Sequence, residues 1–173
     1  MDLLCDMSEE LLKMFYSGKI DLCLRNAEGV EPEGVVLRQE PLIWVSPTDA
    51  EPEKHSPLPI AVFNNCIYRQ WTEKVLKKNH IKFRVAYSSP SVSGVLAAVK
   101  AGLAVAPVGA SINLSGLRVL PEGTLPALPS AVVTLHQAHS RKNSPLATLA
   151  QYITEEFRSM PLTGEGRTNG LIG

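Results

Sequence analysis

Ser88, Ser89, Ser91 and Ser93 fall within six positions around Pro90, directly ahead of the apolar residues Val95, Leu96 and Val99. Proline suits the first turn of a helix, so the serines surround a predicted helix start. Such a start carries unpaired backbone amides and about half a positive charge, which attract carboxylates. One serine there also serves as an ordinary helix cap. Asn64, Asn65 and Cys66 form a second cluster, between the predicted strand Leu58–Phe63 and a predicted helix over Ile67–Lys78. They make either a plain turn with a cap or polar contacts for a ligand, and both readings stay open. Arg69 stands four residues before Glu73, a spacing that favours an ion pair along one helix face over a ligand contact.

No catalytic constellation accompanies these residues. His55, His80, His136 and His139 are scattered, and no GxSxG elbow supplies a nucleophile. Gly94 and Gly102 do not make a phosphate loop. Cys5, Cys23 and Cys66 lack CxxC or Cys/His metal spacing. Cys5 and Cys23 lie in apolar runs and are expected to be buried. The chemistry on offer is binding without turnover, and no cofactor or metal is expected.

The bulk numbers agree. With 17 basic and 17 acidic side chains in 173 residues, the net charge is zero, which argues against intrinsic nucleic-acid affinity. The densest basic stretch, Lys74, Lys77, Lys78, Lys82 and Arg84, reads as a solvated helix face. Residues 1–7 carry two aspartates and no base, so they are not a signal peptide, and no apolar run reaches the roughly 20 residues of a membrane span. A reducing cytoplasm is the expected setting.

The elements that must hold the serines and asparagines alternate strand and helix. Met1–Cys5 reads as a strand, Ser8 as the cap of a helix ending at Gly18, and Ile20–Leu24 as a strand parallel to the first. Val35–Val45 reads as one long strand bent near Pro41. Strands are expected at Leu58–Phe63, Phe83–Tyr87, Leu103–Ala106, Leu117–Leu120 and Ala131–Leu135, with a last helix from Ser144-Pro145 to Phe157. A middle α/β unit, about 58–128, is thus inserted into an outer one, with hinge crossings near Leu42–Ser46 and Ala131–Leu135. Ligands of open α/β sheets bind beyond the carboxyl ends of the strands.

Several segments resemble the LysR-type transcriptional regulators. They are Cys5-Asp6 with Ser8-Glu9-Glu10-Leu11-Leu12, Ser17-Gly18-Lys19-Ile20-Asp21-Leu22, Pro41-Leu42-Ile43-Trp44-Val45-Ser46-Pro47, and Phe63-Asn64-Asn65-Cys66-Ile67-Tyr68-Arg69. The fullest match is Tyr87-Ser88-Ser89-Pro90-Ser91 through Gly102-Leu103-Ala104-Val105. The resemblance covers about residues 1–159 and implies the family's C-terminal effector-binding domain. The implied fold is α/β, a two-lobe, type 2 periplasmic-binding-protein-like architecture with an incomplete first lobe. Residues 1–42 plus 131–159 would form that lobe, 43–130 the second lobe with the hinge strands, and 160–173 a disordered tail.

The resemblance also implies a role for particular residues. Ser88, Ser89, Ser91, Asn64, Asn65 and Cys66 would line an interlobe cleft, and Ser46 and Pro107 would stand where the family places ligand contacts. Ser46 equally suits a turn before Pro47, and Pro107 a strand end. The family's helix-turn-helix, and the first strand and helix of its sensing domain, would precede residue 1. The implied partners are a small anionic effector, a second copy of the chain, and DNA only through that N-terminal domain, with no membrane involved. Two other readings are a solute-binding protein of a transporter and a non-functional truncated remnant. The N-terminal sequence argues against the first of these, and the missing strand supports the second.

Overall fold

The computed structural model describes residues 2–6, 8–29, 33–64, 66–139 and 144–159. The expected disordered tail, 160–173, and Asn65 lie outside the described residues. The chain divides into two compact units, Met1–Glu40 with Ser130–Pro161, and a second built on Pro41–Pro129.

The first unit contains α1 (Ser8–Tyr16), β1 (Leu22–Ala27), the opening half of β2 (Val35–Pro47), β7 (Ser130–Gln137) and α4 (Pro145–Ser159). β1 pairs antiparallel with β7, from Leu22 opposite Gln137 to Ala27 opposite Val132, and β7 lies beside β2. Alternation along the strands places Leu37, Val133 and Leu135 against Ala150 of α4, with Ile153 and Phe157 packed around them. Cys23, Arg25, Thr134 and His136 occupy the opposite face of the β1/β7 pair, where Phe15 of α1 sets its ring edge-on to His136. Arg25 is held there by Glu9, at 3.0 Å.

Three expectations for this unit are corrected. Residues 2–6 form no strand, and every one of them is exposed, Cys5 included. The parallel pairing foreseen for β1 gives way to the antiparallel β7 on one side. On the other side, the Asn26 amide donates to Ser8 Oγ at 3.4 Å, so the start of α1 stands at the end of that edge. A short segment with no neighbouring strand has no ladder to join, and it stays irregular.

The second unit contains the closing half of β2, β3 (Leu58–Phe63), α2 (Ile67–Lys78), β4 (Phe83–Ser89), α3 (Val92–Lys100), β5 (Ala106–Gly109) and β6 (Leu117–Val119). β3 and β4 are parallel, and Ile60 bridges Val105 in parallel on the other side of β3. Regular strand begins at Ala106, later than the expected Leu103. Gly102 accounts for the delay: at φ +77 it closes α3, with Leu103 N–H donating back to Ala98 at 3.1 Å. β5 and β6 both pair antiparallel with β2.

Two apolar clusters fill this unit. One gathers Val45, Ala61, Val95, Val99, Ala106 and Val108, and the other Trp44, Leu58, Ile60, Val62, Leu76 and Val105. α3 and α2 each contribute to a different cluster, which is the arrangement that strand order β4, β3, Val105 requires of right-handed crossovers.

Candidate functional site

The strand order of the second unit creates a switch point. From β3 the chain leaves through α2 to β4, then returns through α3 to the far side of β3. Crevices open beyond the carboxyl ends of strands at such points. Asn64, Cys66, Ser88, Ser89 and Ser91 all stand at the carboxyl ends of β3 and β4 or at the helix starts that follow. The Asn64 amide donates to the Ser89 carbonyl at 3.0 Å and ties the two strand ends together.

Ser88 and Ser89 end β4 instead of opening α3, and the N-cap of α3 is Ser91. Ser88 is exposed, whereas Ser89 is buried with its hydroxyl accepting the Ser91 amide at 3.1 Å. Ser91 is exposed and its side chain makes no capping bond, so the first-turn amides of α3 are not satisfied by it. Gly94 brings the backbone of α3 directly onto Ser89. Tyr87, whose hydroxyl lies 3.5 Å from where a Gly94 Cβ would be, adds a polar group that its apolar strand setting conceals in the sequence.

Cys66, with backbone at φ −93 and ψ 145, is the N-cap of α2 and makes no side-chain capping bond. Burial pushes its thiol up from the ordinary 9.0, while the amides of Tyr68, Arg69 and Ile67 pull the other way and lose. It is a neutral thiol at the helix start, suited to packing and weak hydrogen bonding. Arg69 Nε donates to Glu73 at 2.9 Å, the ion pair its spacing predicts.

Ser46 and Pro107 have other surroundings. Ser46 is fully buried in β2, and its hydroxyl donates to Glu53 Oε2 at 2.6 Å. The other Glu53 oxygen takes Arg118, which also donates to the carbonyls of Pro47 at 3.0 Å and Ala50 at 3.3 Å. Burial alone would push the Glu53 carboxyl up, but the hydrogen bonds from Arg118 and Ser46 outweigh it and hold the group below its usual range. Glu53 and Arg118 escape sequence reasoning because nothing in their spacing links them. Pro107 is buried in β5 opposite Trp44.

Among the described residues, no three His, Cys, Asp or Glu side chains are grouped to hold a metal, and no helix is long and apolar enough to cross a membrane. A groove of about 290 Å³ lies in the first unit between α4 and the strands, lined by Leu135, Gln137, Ala150, Gln151 and Arg158 among others. None of the candidate residues borders it.

Two α/β units share the strand β2, and the second carries polar residues at its switch point. Residues 1–158 match the LysR substrate binding domain. The chain belongs to that family. It is 25% identical over 155 residues to the HTH-type transcriptional regulator DgdR of Burkholderia cepacia, covering 88% of this chain and 53% of that protein. It is 30% identical over 124 residues to the regulator PecT of Dickeya dadantii, covering 70% and 39% respectively. The chain therefore spans about half or less of the length of these relatives. Its fold is that of the regulatory domain of HypT from Salmonella typhimurium, solved with bromide, at TM-score 0.67, 14% identity and 88% and 79% coverage. It also matches the C-terminal domain of a probable LysR family regulator from Rhodococcus sp. RHA1, at TM-score 0.64, 16% identity and 87% and 81% coverage. This is the type 2 periplasmic-binding-protein-like architecture expected from the sequence.

Proposed function

We propose that the chain is the effector-binding domain of a transcriptional regulator and senses a small anionic metabolite without turning it over. The lobes foreseen from the sequence, 1–42 plus 131–159 and 43–130, would close over that effector. DNA would be reached only through a helix-turn-helix outside this chain, the working assembly would be a homodimer, and the setting the cytoplasm. The observation that carries the reading is the convergence of Asn64, Cys66, Ser88, Ser89 and Ser91 at one strand-end crevice, beside a helix whose N-cap side chain makes no capping bond. A carboxylate placed there accepts first-turn amides and gains from the helix dipole. A domain of the same fold that was solved with a bound bromide is in keeping with an anionic ligand.

Of the remaining candidates, Ser46 is the weakest ligand contact, since Glu53 already takes its hydroxyl. Pro107 would supply a wall, having no amide to donate. Ser91→Asp tests the reading. An aspartate at an N-cap supports the helix about as well as serine, so the fold should hold, while the added charge repels an anion. Thermal-shift titration with small carboxylates should show stabilisation of the parent chain and at least a tenfold weaker response in the variant. Equal responses would remove α3 from the site.

A further inference from the structure

The groove beside α4, about 290 Å³ in volume, lies wholly within the first unit. Leu135 and Ala150, both buried in the core of that unit, give it an apolar floor, and Val35 adds an apolar wall. One face of α4 forms its other side, running from Ala147 through Gln151 and Glu155 to Arg158. Spacings of three and four residues keep these side chains in one row along the helix.

Glu155 and Arg158 stand three residues apart, a spacing at which opposite charges on a helix meet. Glu10 with Lys13, and Glu51 with Lys54, do meet at that spacing, each pair at 2.7 Å. Glu155 is instead drawn back toward the start of α4, where its Oε1 accepts Gln151 Nε2 at 2.8 Å. Among the described residues, no ion pair engages either Glu155 or Arg158. Two exposed charges of opposite sign thus border one apolar floor without neutralising each other.

We infer that this groove binds an apolar α-amino acid as a zwitterion. At neutral pH such a molecule carries a carboxylate and an ammonium on one carbon. The carboxylate meets Arg158, the ammonium meets Glu155, and the side chain lies on Leu135 and Ala150. A simple anion would take Arg158 but stand beside Glu155, and a simple cation would face the reverse conflict. Each exposed ion pair contributes little alone, so binding needs both charges and the apolar side chain together. The strand-end crevice belongs to the second unit, and neither site depends on the other.

Amide chemical-shift titration of the full chain tests it, with leucine, methionine and phenylalanine as probes. At least one should give saturable shifts at 135–137 and 147–158. Three relatives of leucine each lack one feature: 4-methylpentanoate the ammonium, leucinamide the carboxylate, and glycine the side chain. Each should bind in the groove at least fivefold more weakly than leucine itself. Arg158→Gln and Glu155→Gln should each weaken amino-acid binding at least fivefold. Both positions are exposed, and circular dichroism checks that the variants are folded. Arg158→Gln should leave the weak response to leucinamide unchanged, which a general disturbance of α4 would not. No saturable shift in the groove from any of the three amino acids overturns the inference. So does binding that glycine or 4-methylpentanoate matches, or that survives both substitutions. A response at the strand-end crevice to short carboxylates is a separate readout, so loss of one site leaves the other standing.

Discussion

A Cβ added to Gly94 would sit 2.5 Å from Ser89 Oγ and 3.1 Å from Ser89 Cβ. The first turns of α3 are therefore pressed onto the last residue of β4, which brings the helix start and the strand end together. A methyl group there must displace the buried Ser89 side chain. Overpacking of this kind costs about 1–3 kcal/mol. Gly94→Ala should lower the unfolding midpoint accordingly, and Ser89→Ala in the same chain should recover part of the loss. Unchanged stability in Gly94→Ala, measured by denaturant titration, would show that the helix does not approach so closely.

Glu53 gives the second unit an acid-sensitive fastening. Its carboxyl is held below the usual range in the folded chain, so its contribution is complete above the ordinary carboxyl range near 4.5. That contribution fades as pH falls through the lower folded value, because the unfolded chain then takes up the proton more readily. Glu53→Gln should cost stability at neutral pH and flatten the fall below pH 4.5. Arg118 is partly exposed, so the loss should stay under the roughly 3–5 kcal/mol of breaking a fully buried pair. Denaturation profiles of parent and variant falling in parallel with acid would contradict the role.

The two accessible cysteines should differ in reactivity. Cys5 is exposed, while Cys66 is partly covered and its thiol is pushed up by burial. Alkylation at neutral pH, followed by peptide mass spectrometry, should modify Cys5 first and Cys66 markedly later, with the rate at Cys66 climbing only at high pH. Prior modification of Cys66 would mean that its sulfur is an activated thiolate.

Hydrogen exchange should separate the units. α1 buries none of its residues, and residues 2–6 belong to no sheet. These should exchange first, followed by β1. Leu58–Val62 is buried throughout, and Val95, Val99 and Val105 are wholly inaccessible, so β3, α3 and the Val105 segment should exchange last. Uniform protection from residue 2 onward in a monomer would show that another segment covers the first unit.

Local pattern makes some of this legible and conceals the rest. β3 and α2 can be read residue by residue, since Leu58–Phe63 is a continuous apolar run and Ile67, Trp71, Val75 and Leu76 repeat with helical period. The long strand with Pro41 inside it is also readable, because its apolar residues persist across the proline. The partner of β1 is not, since antiparallel pairing with β7 joins residues over a hundred positions apart and local pattern carries no such information. Ser46 shows the same limit at the site. A serine before a proline looks like a turn or a ligand contact until Glu53 and Arg118 are brought to it by the fold. Ser88 and Ser89 lie in the region their sequence indicates but on the strand and not the helix, because a serine run marks where a helix starts only to within a residue or two.

The central claim is that the strand-end crevice of the second unit receives a small anion. Amide chemical-shift mapping of the isotope-labelled chain, titrated with a graded series of short carboxylates and their neutral amides, tests it most directly. The account predicts saturable shifts from a carboxylate and not from its amide, confined to residues 64–68, 88–94 and 106–108. Saturable shifts centred instead on the α4 groove of the first unit, or no saturable response to any carboxylate, would contradict it.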